Sequence, residues 1–153
     1  TDPDKDLKQF FKAQILFWAL AATDGHAKNF SIFLEPGGRF SLTPFYDVLS
    51  AQPAADRGQI APPKFRLAMS AGTNRHYRLS EVMGRHFVQT GRAAGLGADL
   101  MRRAISELLD QAANAVSEAR AAMPADFADE VHASIAAAID RRLPHLASAL
   151  EEI

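Results

Sequence analysis

Three oxygen-bearing side chains in the first third of the sequence could bind a divalent metal and take part in phosphoryl transfer. Asp24 and Asn29 are separated by four residues in the stretch ATDGHAKNF, and Asp47 follows in the stretch PFYDVLS. Hard cations such as Mg²⁺ prefer oxygen ligands. Phosphoryl transfer needs a group that orients the acceptor hydroxyl beside metal ions that hold the phosphates. The residue types therefore predict Asp24 at the acceptor hydroxyl, with Asn29 and Asp47 at the metal.

The spacing of these residues agrees with the arrangement used by protein kinases. There, a loop with Asp-x-x-x-x-Asn precedes a hairpin, and a second Asp follows the hairpin. Asp-x-x-x-x-Asn also arises by chance, and Asp24-Gly25 is a common turn dipeptide, so a capped turn leading into a hairpin is the structural alternative. A turn alone does not require His26 and Lys28, which lie within the same loop.

The elements around these residues follow from apolar spacing. Apolar residues recur every three or four positions after Pro3 and predict a helix to about Ala22. The runs FSIFL and RFSLT, separated by EPGG, predict a β-hairpin. From Pro44 to about Ser80 the pattern weakens, and we expect an irregular loop in which only FRLAM could form a short strand or helical turn.

The second half of the chain predicts a helical bundle. A helical stretch should begin near Ser80 and end at Gly95 or Gly97, and a long apolar stripe predicts a second helix that stops before Pro124. The last helix should be kinked or split at Pro144, because proline cannot donate to the carbonyl four residues earlier. The predicted fold class is mainly α with one small β-hairpin.

Composition narrows the functional classes. The chain has 153 residues, 48% hydrophobic and 23% charged, with a net charge of -1 and no cysteine. This is the profile of a globular domain, and it excludes disulfides and cysteine nucleophiles. The most apolar run, ILFWALAA, is too short to span a bilayer, so we expect no membrane association. The opening TDPDKD lacks an initiator Met and suggests a segment of a longer protein.

The stretches WALAATDGHAKNFSIFL, FSLTPFYDVLSAQP and KFRLAMS resemble the C-terminal kinase subdomain of the HipA family. The resemblance implies a serine/threonine protein kinase with a phosphoinositide-kinase-like fold that uses ATP and Mg²⁺. It implies that Asp24 is the catalytic base or orients the hydroxyl, and that Asn29 and Asp47 are Mg²⁺ ligands. It places His26 close to the γ-phosphate, where Lys28 would add positive charge.

The resemblance also implies a domain layout and partners. The chain would be a single domain over 1–153, with the catalytic loop at 22–30, the hairpin at 30–43, the metal-ligand turn at 44–50 and the helical bundle at 80–153. Only 23 residues precede Asp24, so the nucleotide-binding lobe is expected to be absent from this chain, which should be inactive alone.

The family is the toxin half of bacterial toxin-antitoxin pairs. Its implied partners are a HipB-like DNA-binding antitoxin, DNA only through that antitoxin, and an aminoacyl-tRNA synthetase substrate such as glutamate-tRNA ligase, in the bacterial cytoplasm.

Two other functions stay open at this point. Asp24, His26 and Asp47 could be ligands of a metal-dependent hydrolase, although such sites usually use more histidine. The chain could also be a non-catalytic helical interaction module that keeps the loop as a remnant. Binding of Mg²⁺ or Mn²⁺ that depends on Asn29 and Asp47 would favour the kinase, whereas Zn²⁺ binding that depends on His26 would favour the hydrolase.

Overall fold

The computed structural model of the protein describes residues 2–153, apart from the side chain of Ala113. This part of the chain is mainly helical, as predicted, with a helical C-terminal lobe and two antiparallel hairpins. The α-helices are α1 (Pro3–Leu20), α2 (Gln52–Asp56), α3 (Gly84–Ala93), α4 (Ala98–Ala122) and α5 (Asp129–Ser148). The strands are β1 (Ile32–Glu35), β2 (Arg39–Leu42), β3 (Arg66–Ala71) and β4 (His76–Arg78). Short 3₁₀ turns lie at Ala27–Asn29, Pro62–Lys64 and Ala149–Glu152.

Helix α1 packs against α3, α4 and α5 at the centre of the molecule. Its first turn is capped by the Asp2 carboxylate, which accepts a backbone hydrogen bond at 3.2 Å. The apolar face predicted from the sequence buries Phe11, Ile15 and Trp18, and each is at most 4% exposed. The ring of Trp18 lies 5.4 Å from that of Phe87 on α3, measured between centroids. The larger partners in the same core are Leu67, Leu79, Val82, Val88, Met101, Ile105 and Leu146.

The predicted hairpin after the polar loop is present. Strands β1 and β2 pair in antiparallel register from Ile32 opposite Leu42 to Glu35 opposite Arg39. The connecting turn contains Gly37 and Gly38 at φ angles of 83° and 75°, a region that glycine enters at little cost. All four residues of β1 are exposed. The hairpin therefore projects from the helical core.

The stretch expected to be irregular contains more structure than predicted. All of FRLAM after Phe65 belongs to β3, which pairs with β4 to form a second hairpin with an irregular register, and α2 lies before it. The turn at Gly72 is stabilised by helix α3, because the N–H of Gly72 donates to the Thr90 hydroxyl on α3 at 2.8 Å. The sequence interpretation of one hairpin was thus incomplete, because packing on α3 stabilises a strand pair with little local pattern.

Helix α3 begins at Gly84, four residues later than the sequence indicated. A Cβ at Gly84 would collide with the carbonyl of His145, so glycine allows α3 and α5 to approach closely. The predicted stop after α3 is present, and Gly95 there has a φ of 79°. Helix α4 ends before Pro124, also as predicted.

Helix α5 continues through Pro144 and is not split. Pro144 and Asp140 are both exposed, so water can satisfy the Asp140 carbonyl that has lost its donor. Of the two predicted outcomes, a kink or a split, the split was wrong for this reason, and the kink stays a prediction. No helix among residues 2–153 is long and apolar enough to cross a membrane.

Candidate functional site

The polar loop begins where α1 ends in a left-handed residue. Ala21 has a φ of 54°, and its N–H donates to the Trp18 carbonyl at 3.0 Å. The N–H of Ala22 donates to the Phe17 carbonyl at 2.7 Å. Such bonds satisfy carbonyls that lack partners at the end of a helix and reverse the chain direction. The helix therefore stops at Leu20, and Asp24 follows on a tightly turned segment.

The loop from Asp24 to Asn29 is compact. The N–H of His26 donates to the Asp24 carbonyl at 2.8 Å, and the N–H of Asn29 donates to the His26 carbonyl at 3.0 Å. Gly25 lies directly on the ring of Phe17, and a Cβ there would overlap that ring. Two backbone hydrogen bonds and one close contact thus fix the path of the chain between the two candidate residues.

The return of the chain toward the site is fixed by α1. The backbone N–H of Leu42 donates to Asp6 Oδ1 at 3.1 Å. Gln9 Nε2 donates to the carbonyl of Thr43 at 3.3 Å, and the N–H of Thr43 donates to the Ser31 carbonyl at 3.0 Å. The end of β2 is therefore attached to α1 before the chain reaches Asp47.

Asp47 lies in a left-handed backbone conformation with a φ of 55°. Aspartate tolerates this region better than most non-glycine residues do. Just after it, Ser50 Oγ donates to the Leu20 carbonyl at 2.6 Å, and the N–H of Ala51 donates to the Ala21 carbonyl at 3.0 Å. The Asp47 turn is consequently attached to the same end of α1 at which the Asp24 loop begins.

Asp24, Asn29 and Asp47 line one small pocket, together with apolar residues that include Phe17. The Asp24 side chain is 88% exposed. In contrast, Asn29 Oδ1 is buried and has no hydrogen-bond partner. A buried amide oxygen without a donor, in the same pocket as a carboxylate, is a suitable pair of ligands for a hard cation. Asn29 and Asp47 therefore fit an Mg²⁺ site, and the exposed Asp24 lies in the same pocket.

His26 and Lys28 lie beside the pocket rather than among the residues that line it. His26 Nε2 is 3.8 Å from Asp24 Oδ1, and its Nδ1 is buried without a hydrogen-bond partner. Lys28 is exposed on the 3₁₀ turn. Within residues 2–153, no three His, Cys, Asp or Glu side chains form a metal-binding group. The candidate metal ligands are the amide oxygen of Asn29 and the carboxylate of Asp47.

A cluster of aromatic rings packs next to the pocket. Phe30, at the end of the loop, lies 5.8 Å from Phe17 and 4.7 Å from Phe10 between ring centroids. Phe45, two residues before Asp47, meets Phe30 edge-on at 6.2 Å. Such aromatic pairs add to the burial of apolar surface. The rings therefore join α1, the loop and the Asp47 turn in one apolar cluster.

The sequence model of the family described as HipA-like C-terminal domain matches residues 1–119, which include all three pocket residues. The chain belongs to this family. The resemblance seen in the sequence is therefore confirmed.

Two relatives show how much of a longer HipA-like protein this chain corresponds to. A Sinorhizobium fredii protein named "Putative kinase Y4mE" is 30% identical over 115 residues, which cover 75% of this chain and 25% of that protein. A chain of the solved Shewanella oneidensis MR-1 complex of HipA, HipB and operator DNA superposes with a TM-score of 0.71 at 20% identity, covering 94% of this chain and 33% of that one. The superposition shows a shared fold. The HipA-like chain spans about a quarter to a third of the length of these two relatives.

Sequence reasoning missed one polar network next to the site. Arg142 on α5 donates to the Ala19 carbonyl at 2.9 Å and to Gln52 Oε1 at 2.8 Å. Burial lowers the pKa of Arg142 to about 10, so the guanidinium stays charged at neutral pH. No local signal could reveal these contacts, because Arg142 lies 123 residues from Ala19 along the chain.

Proposed function

We propose that this HipA-like chain is the catalytic and metal-binding lobe of an ATP-dependent serine/threonine protein kinase. The observation that carries the proposal is the shared pocket of Asp24, Asn29 and Asp47, in which the amide oxygen of Asn29 is buried without a partner. Phosphoryl transfer depends on positioning and on charge stabilisation, which are what this residue set can provide.

Each pocket residue has a distinct role in this proposal. The exposed carboxylate of Asp24 accepts a hydrogen bond from the acceptor hydroxyl and can take its proton. Asn29 and Asp47 supply oxygen ligands for Mg²⁺, which when bound would neutralise charge on the phosphates. His26, 3.8 Å from Asp24, lies close to where the γ-phosphate would be held, and Lys28 adds positive charge nearby.

The nucleotide would be bound by a lobe outside this chain. Supporting this, large apolar side chains around the hairpin and the Asp47 turn are exposed, namely Ile32, Phe33, Leu34, Phe40, Tyr46 and Leu49. By the register of the hairpin, Ile32, Leu34 and Phe40 share one face, and exposed apolar side chains on one face are typical of an interaction site. We therefore expect the isolated chain to bind ATP poorly and to transfer no phosphate.

The biological setting of the proposal is a toxin-antitoxin pair in the bacterial cytoplasm. The solved relative comes from a complex with HipB and operator DNA, which supports a HipB-like antitoxin as partner, with DNA reached only through it. An aminoacyl-tRNA synthetase such as glutamate-tRNA ligase is the proposed protein substrate.

The test is transfer of the γ-phosphate from ATP by the full-length protein that carries this chain. Asp24→Asn should abolish transfer without unfolding the protein. Asp126→Asn is the matched control, because Asp126 is also exposed but lies in the connection between α4 and α5. A folded, nucleotide-binding wild type that transfers no phosphate would contradict the kinase proposal and favour an interaction module.

A further inference from the structure

The last turn of α1 is the common attachment point of the two segments that carry the candidate ligands. The final carbonyls of a helix have no partner within the helix. Here the carbonyls of Leu20 and Ala21 accept hydrogen bonds from Ser50 and Ala51 respectively, just after the Asp47 turn. The preceding carbonyl, that of Ala19, accepts from a different element of the fold.

That donor is Arg142, near the C-terminal end of α5. Its Nη1 atom donates to the Ala19 carbonyl at 2.9 Å, and its Nη2 atom donates to Gln52 Oε1 at 2.8 Å. Gln52 is only 4% exposed and begins α2, directly after the segment that holds Asp47. One guanidinium thus bridges the end of α1 and the start of α2.

A second path connects the same network back to α5. Gln52 Nε2 donates to Asp56 Oδ1 at 2.8 Å, and Ser134 Oγ donates to Asp56 Oδ2 at 2.6 Å. The hydrogen bond from Ser134, and after it the one from Gln52, lower the pKa of Asp56, so its carboxylate stays ionised at neutral pH. Gln52 is therefore held at both ends of its amide, and its orientation toward Arg142 is fixed.

From this geometry we propose that Arg142 is a positioning residue for the metal site. By holding Ala19 and Gln52 at once, it acts together with the bonds from Ser50 and Ala51 to fix the distance between the Asp24 loop and the Asp47 turn. Arg142 itself does not line the pocket. Arginine suits this role because its planar group presents two donors in fixed directions, which the single ammonium of lysine cannot do. This inference rests on the proposed function, since it assigns Arg142 to the same metal site.

The experiment is titration of the full-length protein with Mn²⁺ alone, at a temperature where every variant is folded. Arg142→Met keeps the length of the side chain and removes both donors. Residues that do not bind a metal themselves but orient its ligands typically contribute tenfold or more to the affinity for the metal. We therefore expect Arg142→Met to weaken Mn²⁺ binding by about tenfold. Arg141→Met is the matched control, because Arg141 is the exposed neighbour on the same helix, and it should bind Mn²⁺ as wild type does.

The outcomes separate this inference from the proposed function. Equal Mn²⁺ affinity of wild type and folded Arg142→Met would overturn the positioning role alone. A wild type that binds no Mn²⁺, or an Asp47→Gly variant that binds it unchanged, would overturn the metal site and the positioning role together. If Arg142→Met does not fold, Arg142→Lys replaces it. Lysine keeps the charge but not the planar pair of donors in fixed directions, so Arg142→Lys should also weaken binding, and unchanged binding would overturn the proposal.

Discussion

Gly25 rests on the ring of Phe17 so closely that any side chain at position 25 would overlap the ring. Phe17 is 5% exposed, so it has little room to move away. The conformation of the loop from Asp24 to Asn29 is therefore set by a contact with α1 as well as by its own hydrogen bonds.

The first prediction is that Gly25→Ala destabilises the protein. Forcing a methyl group into a packed contact typically costs about 1–3 kcal/mol, which urea unfolding would measure. Gly97→Ala is the control, since nothing lies within 4 Å of the Cβ position there, and it should change the free energy of unfolding by less than about 1 kcal/mol. Equal effects of the two substitutions would show that the Phe17 contact does not constrain the loop.

The second prediction concerns the left-handed backbone of Asp47. Alanine in this conformation is less favourable than glycine by about 1 kcal/mol, so Asp47→Ala should unfold more easily than Asp47→Gly by roughly that amount. Asp47→Asn should keep the stability of wild type, because asparagine also tolerates positive φ. All three variants lose the carboxylate and should bind Mn²⁺ more weakly, with the smallest loss in Asp47→Asn, whose amide oxygen is still a ligand for a hard cation. The same stability for the alanine and glycine variants would contradict the strain argument.

The third prediction separates the metal ligands from His26. Asn29→Ala and Asp47→Ala should each weaken Mn²⁺ binding, because both remove an oxygen ligand. His26→Ala should leave Mn²⁺ affinity unchanged, since His26 does not line the pocket. The measurement is calorimetric titration with Mn²⁺ and, in parallel, with Zn²⁺. Preference for Zn²⁺ that disappears in His26→Ala would support the hydrolase alternative.

The fourth prediction is a loss of stability in mild acid that originates at His86. Burial, followed by the charges of His76 and Arg85, lowers the pKa of His86 below its usual 6.5. Its Nδ1 accepts the N–H of Met83 at 3.1 Å, and its ring stacks on His76 at 4.0 Å. The unfolded chain therefore binds a proton at His86 at higher pH than the folded protein does. The stability contributed by neutral His86 is complete above pH 6.5 and is lost as the pH falls through the folded pKa.

Urea unfolding at a series of pH values from neutral to mildly acidic measures this effect. His86→Asn is the informative variant, because its side-chain oxygen can accept the Met83 N–H but does not titrate. We expect its stability to fall less than that of wild type over this range. Parallel pH profiles of the two proteins would rule out His86 as the source.

The spacing of residue types in the sequence predicted the helices, strands and turns that are determined by contacts between residues close together in the chain. The apolar repeat of α1 and the EPGG turn were sufficient for the first helix and hairpin. The loop spacing was sufficient to select Asp24, Asn29 and Asp47. The structure then brings these three residues to one pocket, while leaving Lys28 on the exposed surface.

What the sequence did not predict depends on distant partners. Strand β3 lacks strong alternation and is held through Gly72 and Thr90, and Arg142 reaches Ala19 across most of the chain. Pro144 was expected to kink or split α5, but α5 is not split, because the exposed position of Pro144 lets water replace the missing donor. Each case is set by tertiary contacts or solvent exposure, which residue spacing does not report.

The attachment of β2 to α1 has a practical consequence for protein engineering. Because Asp6 and Gln9 hold Leu42 and Thr43 directly, the tip of the hairpin does not determine where Asp47 lies. Nothing lies within 4 Å of the Cβ positions of Gly37 and Gly38 at that tip. An epitope or a small reporter peptide inserted between these two glycines should leave the pocket intact, providing a label next to the site for following how other molecules approach it.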